Sequence, residues 1–175
     1  MKKLSLLLAI LLIVSFGVSA ADASTEFYMG TKVSASYGLK IHDNNDVIPA
    51  TLDDWGGLTL KGESSQNSVD VVGAITLKIS AMTNISGTYK ATASALPLSA
   101  DNIGTKIGYT VNSTPVAKGA TDPVLIELLS FTQGSNDGLK FATEEFTITL
   151  SSADLEIAQA SDDYATTWTI ELTHN

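Results

Sequence analysis

The sequence predicts an all-β protein built as an antiparallel β-sandwich, and three observations lead there. Apolar residues recur at every second position in one short run after another. Clusters of Asn, Asp, Ser and Gly separate the runs, and the spacings of three and four that mark an amphipathic helix are nearly absent.

The first element stands apart from that fold. Lys2 and Lys3 precede an apolar run from Leu4 to Val14, and small residues ending Val18-Ser19-Ala20 follow. This three-part pattern predicts a cleavable signal peptide over 1–20, ahead of a single β-sandwich domain over 21–175. A permanent anchor needs ~20 apolar residues to cross a ~30 Å hydrocarbon core, and this run is well short of that. The mature chain is therefore expected to be secreted, periplasmic or held at the cell surface, with no membrane insertion once the signal is removed. Its roughly 155 residues suffice to bury a core.

The first alternating run places Val33, Ala35, Tyr37, Leu39 and Ile41 on one face, with Lys32, Ser34, Ser36 and Lys40 on the other. Residues 42–57, rich in Asp, Asn and Gly, read as an irregular surface loop. In the second run Val69, Val71, Ile75, Leu77 and Ile79 oppose Asp70, Thr76, Lys78 and Ser80, and Gly73 predicts a bend. Asn84-Ile85-Ser86-Gly87 reads as a hairpin-like turn into Tyr89, Ala91, Ala93 and Ala95. Ile107, Tyr109 and Val111 follow. Val124–Phe131 is apolar on both faces, and Pro123 with the β-branched residues favours a strand over a short helix. Gly134–Gly138 is a loop whose Asp137-Gly138 step tolerates positive φ. Phe146, Ile148 and Leu150 form the next run. Ser151 and Asp154 have capping spacing, which predicts one helical turn crossing between sheets. Tyr164, Trp168, Ile170 and Leu172 close the fold, with Trp168 in the core. About seven or eight strands of this kind point to a sandwich of immunoglobulin-like type. An outer-membrane barrel also alternates, but it requires aromatic girdles on its lipid face, whereas several faces here consist of alanine and threonine.

The chain holds no cysteine, so disulfides, thiol nucleophiles and Cys-zinc sites are excluded and stability rests on packing. It carries 10 basic and 19 acidic residues, a net charge of −9 that becomes −11 when Lys2 and Lys3 leave with the signal. Every basic residue is a lysine. Such a surface repels phosphate backbones, which excludes nucleic acid as an expected partner.

The inventory for chemistry is thin. Two histidines, His42 and His174, offer no metal motif, and neither a G-x-S-x-G elbow nor a glycine-rich phosphate loop is present. No catalytic residue, cofactor or metal is expected. Paired carboxylates for glycoside cleavage depend on a ~5–9 Å separation that only a fold sets. His42-Asp43-Asn44-Asn45-Asp46 with Asp53 and Asp54 gathers oxygen atoms of the kind calcium uses, but without EF-hand spacing, and such residues favour turns in any case. Trp55 beside Asp53 and Asp54 is the candidate binding site: an exposed indole stacks on a pyranose face while acids take its hydroxyls. The same tryptophan would equally anchor its loop on the core.

Gly87-Thr88-Tyr89 leading an Ala/Thr-alternating strand, and the closing Asp163-Tyr164-Ala165-Thr166-Thr167-Trp168-Thr169-Ile170, resemble small bacterial surface β-sandwich proteins of the fimbrial-subunit-like and WxL-like groups. The closing strand reads Trp168-Thr169-Ile170 where the WxL pattern has Trp-x-Leu. The resemblance implies a non-enzymatic structural or adhesion protein whose partners are other surface or fimbrial subunits. In fimbrial subunits a neighbour's N-terminal extension completes the sandwich; Val33–Ile41 suits that role and suits pairing within its own chain equally well. The alternative is a carbohydrate- or cell-wall-binding module that takes a glycan at the loop around Trp55.

Overall fold

The computed structural model describes residues 35–59, 68–161 and 163–175. The expected signal peptide at 1–20, and Val33, lie outside these described residues.

Ten strands and two short helices are present among the described residues. In chain order they are β1 (Tyr37–Asp43), α1 (Leu52–Gly56), β2 (Ala74–Thr83), β3 (Gly87–Ala95), β4 (Leu98–Ser99), β5 (Lys106–Ile107), β6 (Tyr109–Val111), β7 (Thr114–Val116), β8 (Val124–Gln133), β9 (Lys140–Leu150), α2 (Ser152–Ile157) and β10 (Thr169–His174). Two antiparallel sheets pack face to face as a β-sandwich. The larger has the order β1-β2-β9-β6-β7 and the smaller β10-β3-β8, while β4 and β5 pair as a two-residue ladder at the side.

Alternation decides what lies between the sheets, because the pleat sends successive side chains to opposite faces. Leu77, Ile79 and Ala81 of β2, Phe146 and Ile148 of β9, Tyr109 and Val111 of β6 and Val116 of β7 are buried from one side. Tyr89, Ala91, Ala93 and Ala95 of β3 meet them from the other, with Ile126, Leu128 and Leu129 of β8. The alanines of β3 admit larger neighbours. Trp168 packs against this core, tilted on Phe146 and stacked on Tyr109 with centroids 6.1 Å apart in both cases. Its Nε1 donates to the Tyr109 hydroxyl at 2.8 Å, and that hydroxyl donates onward to the Leu96 carbonyl at 2.7 Å. Burial raises the Tyr109 phenol above its ordinary value, against the bond from Trp168, and so keeps it a neutral donor.

Several local readings change in the assembled fold. Asn84–Gly87 does not close a hairpin: β2 belongs to the larger sheet and β3 to the smaller, so the segment arches between layers. The turn holds because Tyr89 donates its hydroxyl to the Ile85 carbonyl at 2.9 Å and Thr83 Oγ1 accepts from the Ile85 amide at 3.1 Å. Ile107 and Val111 lie on different strands, β5 pairing with β4 and β6 with both β9 and β7. The tight hairpin is instead at Asn112-Ser113, with φ of 48° and 73°, as a two-residue type I′ turn requires. Gly73 takes φ of 73° just before β2 begins, so Val69 and Val71 pack on the core from outside the strand. Gly138 does not use positive φ; Asp137 Oδ2 instead accepts from the Gly134 amide at 3.0 Å. Tyr164 precedes β10, and Ala165 bridges to Ser99.

The doubly apolar segment Val124–Phe131 is a strand, and a β-bulge explains its pattern. The register passes from Ala91↔Leu129 to Thr92↔Glu127, leaving Leu128 without an opposite residue. The extra residue shifts the alternation by one, so Leu128 and Leu129 both enter the core. Among the described residues β8 is an edge strand of the smaller sheet. Between β9 and β10, α2 carries the chain from one sheet to the other, with Ser151 Oγ accepting from the Asp154 amide at 3.3 Å. The Asp154 carboxylate takes Lys118 Nζ at 2.7 Å and the Gly108 amide at 3.0 Å; these two donors, in that order, hold it below its ordinary value.

Phe146→Ala removes the largest fully buried side chain and is expected to cost about 3–5 kcal/mol, read as a lowered urea midpoint. Ser113→Gly relieves a left-handed non-glycine conformation and is expected to gain about 0.5–1 kcal/mol in the same assay.

Candidate functional site

The candidate site lies on the outer face of the larger sheet, where residues 44–59 fold back as a flap. Local chemistry shapes the flap first. Thr51 is the N-cap of α1, its Oγ1 accepting from the Asp54 amide at 3.1 Å. Asp54 Oδ2 reciprocates by accepting from the Thr51 amide at 2.9 Å, the Ala50 amide at 3.1 Å and Thr51 Oγ1 at 2.9 Å. The bond from Ala50 and then that from the Thr51 hydroxyl hold the Asp54 carboxyl below its ordinary value. The flap's base is closed by Thr59, whose carbonyl accepts from the Asp43 amide at 2.7 Å. Thr59 also donates its amide to Asp46 Oδ2 at 2.8 Å and its hydroxyl to Asp46 Oδ1 at 3.0 Å.

The sheet beneath supplies a mixed surface. Gly38, Lys40 and His42 of β1 sit beside Met82, Ser80 and Lys78 of β2, and these beside Phe141, Thr143 and Glu145 of β9. Trp55 is half-buried over Gly38, with its ring centroid 6.1 Å from that of Phe141. A Cβ on Gly38 would lie 2.9 Å from the indole and 3.1 Å from the Met82 methyl, so only glycine admits the ring this closely. Lys40 Nζ donates to the Trp55 carbonyl at 2.8 Å and stands 5.3 Å from its ring centroid. Lys78 Nζ donates to the Asp46 carbonyl at 3.0 Å.

At the centre His42 is fully buried. Its Nε2 hydrogen-bonds Ser80 Oγ at 2.8 Å, and Ser80 Oγ in turn bonds Thr143 Oγ1 at 2.6 Å. Its Nδ1 stands 3.5 Å from Asp46 Oδ2 and makes no hydrogen bond. Burial lowers the imidazole below its ordinary value, Lys78 adds to that, and Asp46 opposes it. Asp46, His42 and Ser80 thus stand in the order of a charge relay. Ser80, however, is fully buried in β2, which is paired on both sides, so its backbone amides serve the ladder and present no oxyanion hole. What the three groups do is stitch β1, β2 and β9 to the flap.

The structure treats the three residues singled out in the sequence differently. Trp55 anchors the flap. Asp54 Oδ2 is occupied by three donors from its own cap, and Asp53 is exposed, its carbonyl accepting from the Gly57 amide at 3.1 Å. The acidic loop spends its oxygens internally as well: Asp43 Oδ1 accepts from the Asn45 amide at 3.0 Å and Asn45 Nδ2 at 3.2 Å. Among the described residues no group of three or more His, Cys, Asp or Glu side chains converges as a metal ion requires. Segment 42–57 is therefore not an irregular surface loop but a folded cover. One signal for it stands in the sequence, the Thr51-x-x-Asp54 spacing. Nothing local marks His42, Lys78 or Ser80, because a period-two pattern assigns them to the wet face.

No family model, curated protein or solved structure matches the chain.

Gly38→Ala forces the indole and the Met82 methyl outward. It is expected to cost about 1–3 kcal/mol and to red-shift the tryptophan emission, measured by fluorescence-monitored urea unfolding.

Proposed function

We propose that this chain is a non-enzymatic structural or adhesion protein of a bacterial surface, an immunoglobulin-like sandwich of the fimbrial-subunit type that associates by adding strands. The observation that carries this reading is the free edge of β8. This strand is ten residues long and bonded only to β3 among the described residues; its exposed side chains are Leu125, 72 % exposed, with Glu127, Ser130 and Thr132, so a single charge guards it. Long free edges are templates for another extended chain, and proteins that avoid such pairing blunt them with charge, proline or brevity. The opposite sheet shows that device at β7, which has three residues and carries Pro115.

Tyr37–Asp43 is paired along its whole length with β2 of its own chain. A donated strand would therefore come from residues ahead of Tyr37. The alternative of glycan binding at Trp55 has weaker support, since the indole is packed on the sheet and the Asp54 carboxylate serves its cap.

Size-exclusion chromatography with light scattering on the mature protein is expected to show concentration-dependent oligomers that Leu125→Lys suppresses without lowering thermal stability. A monomer at every concentration from micromolar to millimolar would overturn the reading.

A further inference from the structure

The His42 cluster is more than a structural stitch, because it places a titratable group where its charged form has poor company. The imidazole is sealed between the sheet and the flap, and the Nδ1 atom is unpaired. We propose that His42 is an acid-sensitive latch: the neutral imidazole keeps residues 44–59 closed over the outer face of the sheet, and its protonation opens them.

The groups around it set the direction. From its own strand Lys40 shares the face, and the Asp43 backbone favours the charged ring. From β2, Lys78 lies directly opposite, and Ser80 holds Nε2. From β9, Thr143 continues the bond from Ser80, and Glu145 is the exposed partner of Lys78 in register. From the flap comes Asp46, whose two carboxylate oxygens already accept from Thr59. Protonation of the ring would thus add a second cation beside Lys78 in a buried site. The one carboxylate in reach is 3.5 Å away and already engaged. Desolvation of the charged ring outweighs both that partial pairing and the Asp43 backbone, in keeping with the lowered proton affinity of the site.

The sign follows from linkage. The ordinary value of a histidine is 6.5 and the closed form binds its proton less well than the open one. The closed state is therefore fully stabilised above pH 6.5 and loses that stabilisation as pH falls through the lowered value. The loss is local. The flap rests on the outer face of the larger sheet, while the core between the sheets is independent of it, so a local opening leaves the sandwich intact. Opening uncovers Met82 and Phe141 and frees Lys40 and Lys78 from the carbonyls of Trp55 and Asp46.

Amide hydrogen exchange read by NMR on the mature protein tests this, since the Asp43 and Thr59 amides close the flap's base. After correction for intrinsic rates, their protection is expected to fall severalfold between pH 7.5 and pH 5.0, a window above ordinary carboxylate titration. Amides of β6 and β9 are expected to stay within twofold. His42→Gln keeps a hydrogen-bonding group for Ser80 but takes no proton, and it is expected to abolish the pH dependence at the flap. Unchanged wild-type protection, or the same acid-induced loss in His42→Gln, overturns the proposal. Should that variant not fold, the wild-type protein decides: the His42 ring-proton titration must share its midpoint with flap opening, and separate midpoints overturn the latch.

Discussion

Burial of a few large side chains between two sheets is the constraint on which the structure depends. With no disulfide to restrict the unfolded chain, cohesion comes from apolar surface removed from water and from close packing. Phe146, Trp168 and Tyr109 are central to that arrangement, filling the space opened by the three alanines of β3. The bond from Trp168 to Tyr109 and onward to the Leu96 carbonyl also satisfies the polar atoms that these rings bring inside. An aromatic cluster without those bonds would sacrifice much of what its area gains.

The outer face of the larger sheet follows a different rule. Lysines, a histidine, a serine and threonines would ordinarily face water there, and a short flap covers them instead. The cover is stable because nearly every buried polar atom beneath it finds a partner: Lys40 and Lys78 reach flap carbonyls, and Ser80 links His42 to Thr143. His42 Nδ1 and, in the flap itself, Asn44 Oδ1 are exceptions. A buried layer that is polar and almost fully paired is sensitive to the protonation of a titratable atom left unpaired in it, whereas an apolar layer would be indifferent to pH.

The smaller sheet shows the opposite economy. Its outer face is polar, with Lys90 and Glu127 paired at 2.7 Å, both about half exposed, so that the pair contributes little to stability. Its edges are less guarded. A bulge at Leu128 twists β8 and brings two consecutive leucines into the core, and Leu125 stays exposed near the start of that strand. The shape of that edge is thus a by-product of how the core is filled there.

How much of this was legible in the chain follows from the range of the forces involved. Alternation in the chain was enough to mark the long strands and the inward sets such as Tyr89, Ala91, Ala93 and Ala95, because the pleat converts a local pattern directly into faces, whereas strand limits such as those around Val69, Ile107 and Tyr164 were not legible. Local spacing also determined the helical turn after Ser151, whose cap is formed within four residues. Only the tertiary structure decided which strand joins which sheet, since the same turn residues serve a hairpin and an arch, as Asn84–Gly87 shows. It decided as well that His42 is buried: its partner Ser80 is 38 residues away in sequence, and the flap over both is held by a tryptophan resting on Gly38. Alternation tells which side of a strand faces its own sheet's core, and it carries no information about what later folds across the other side.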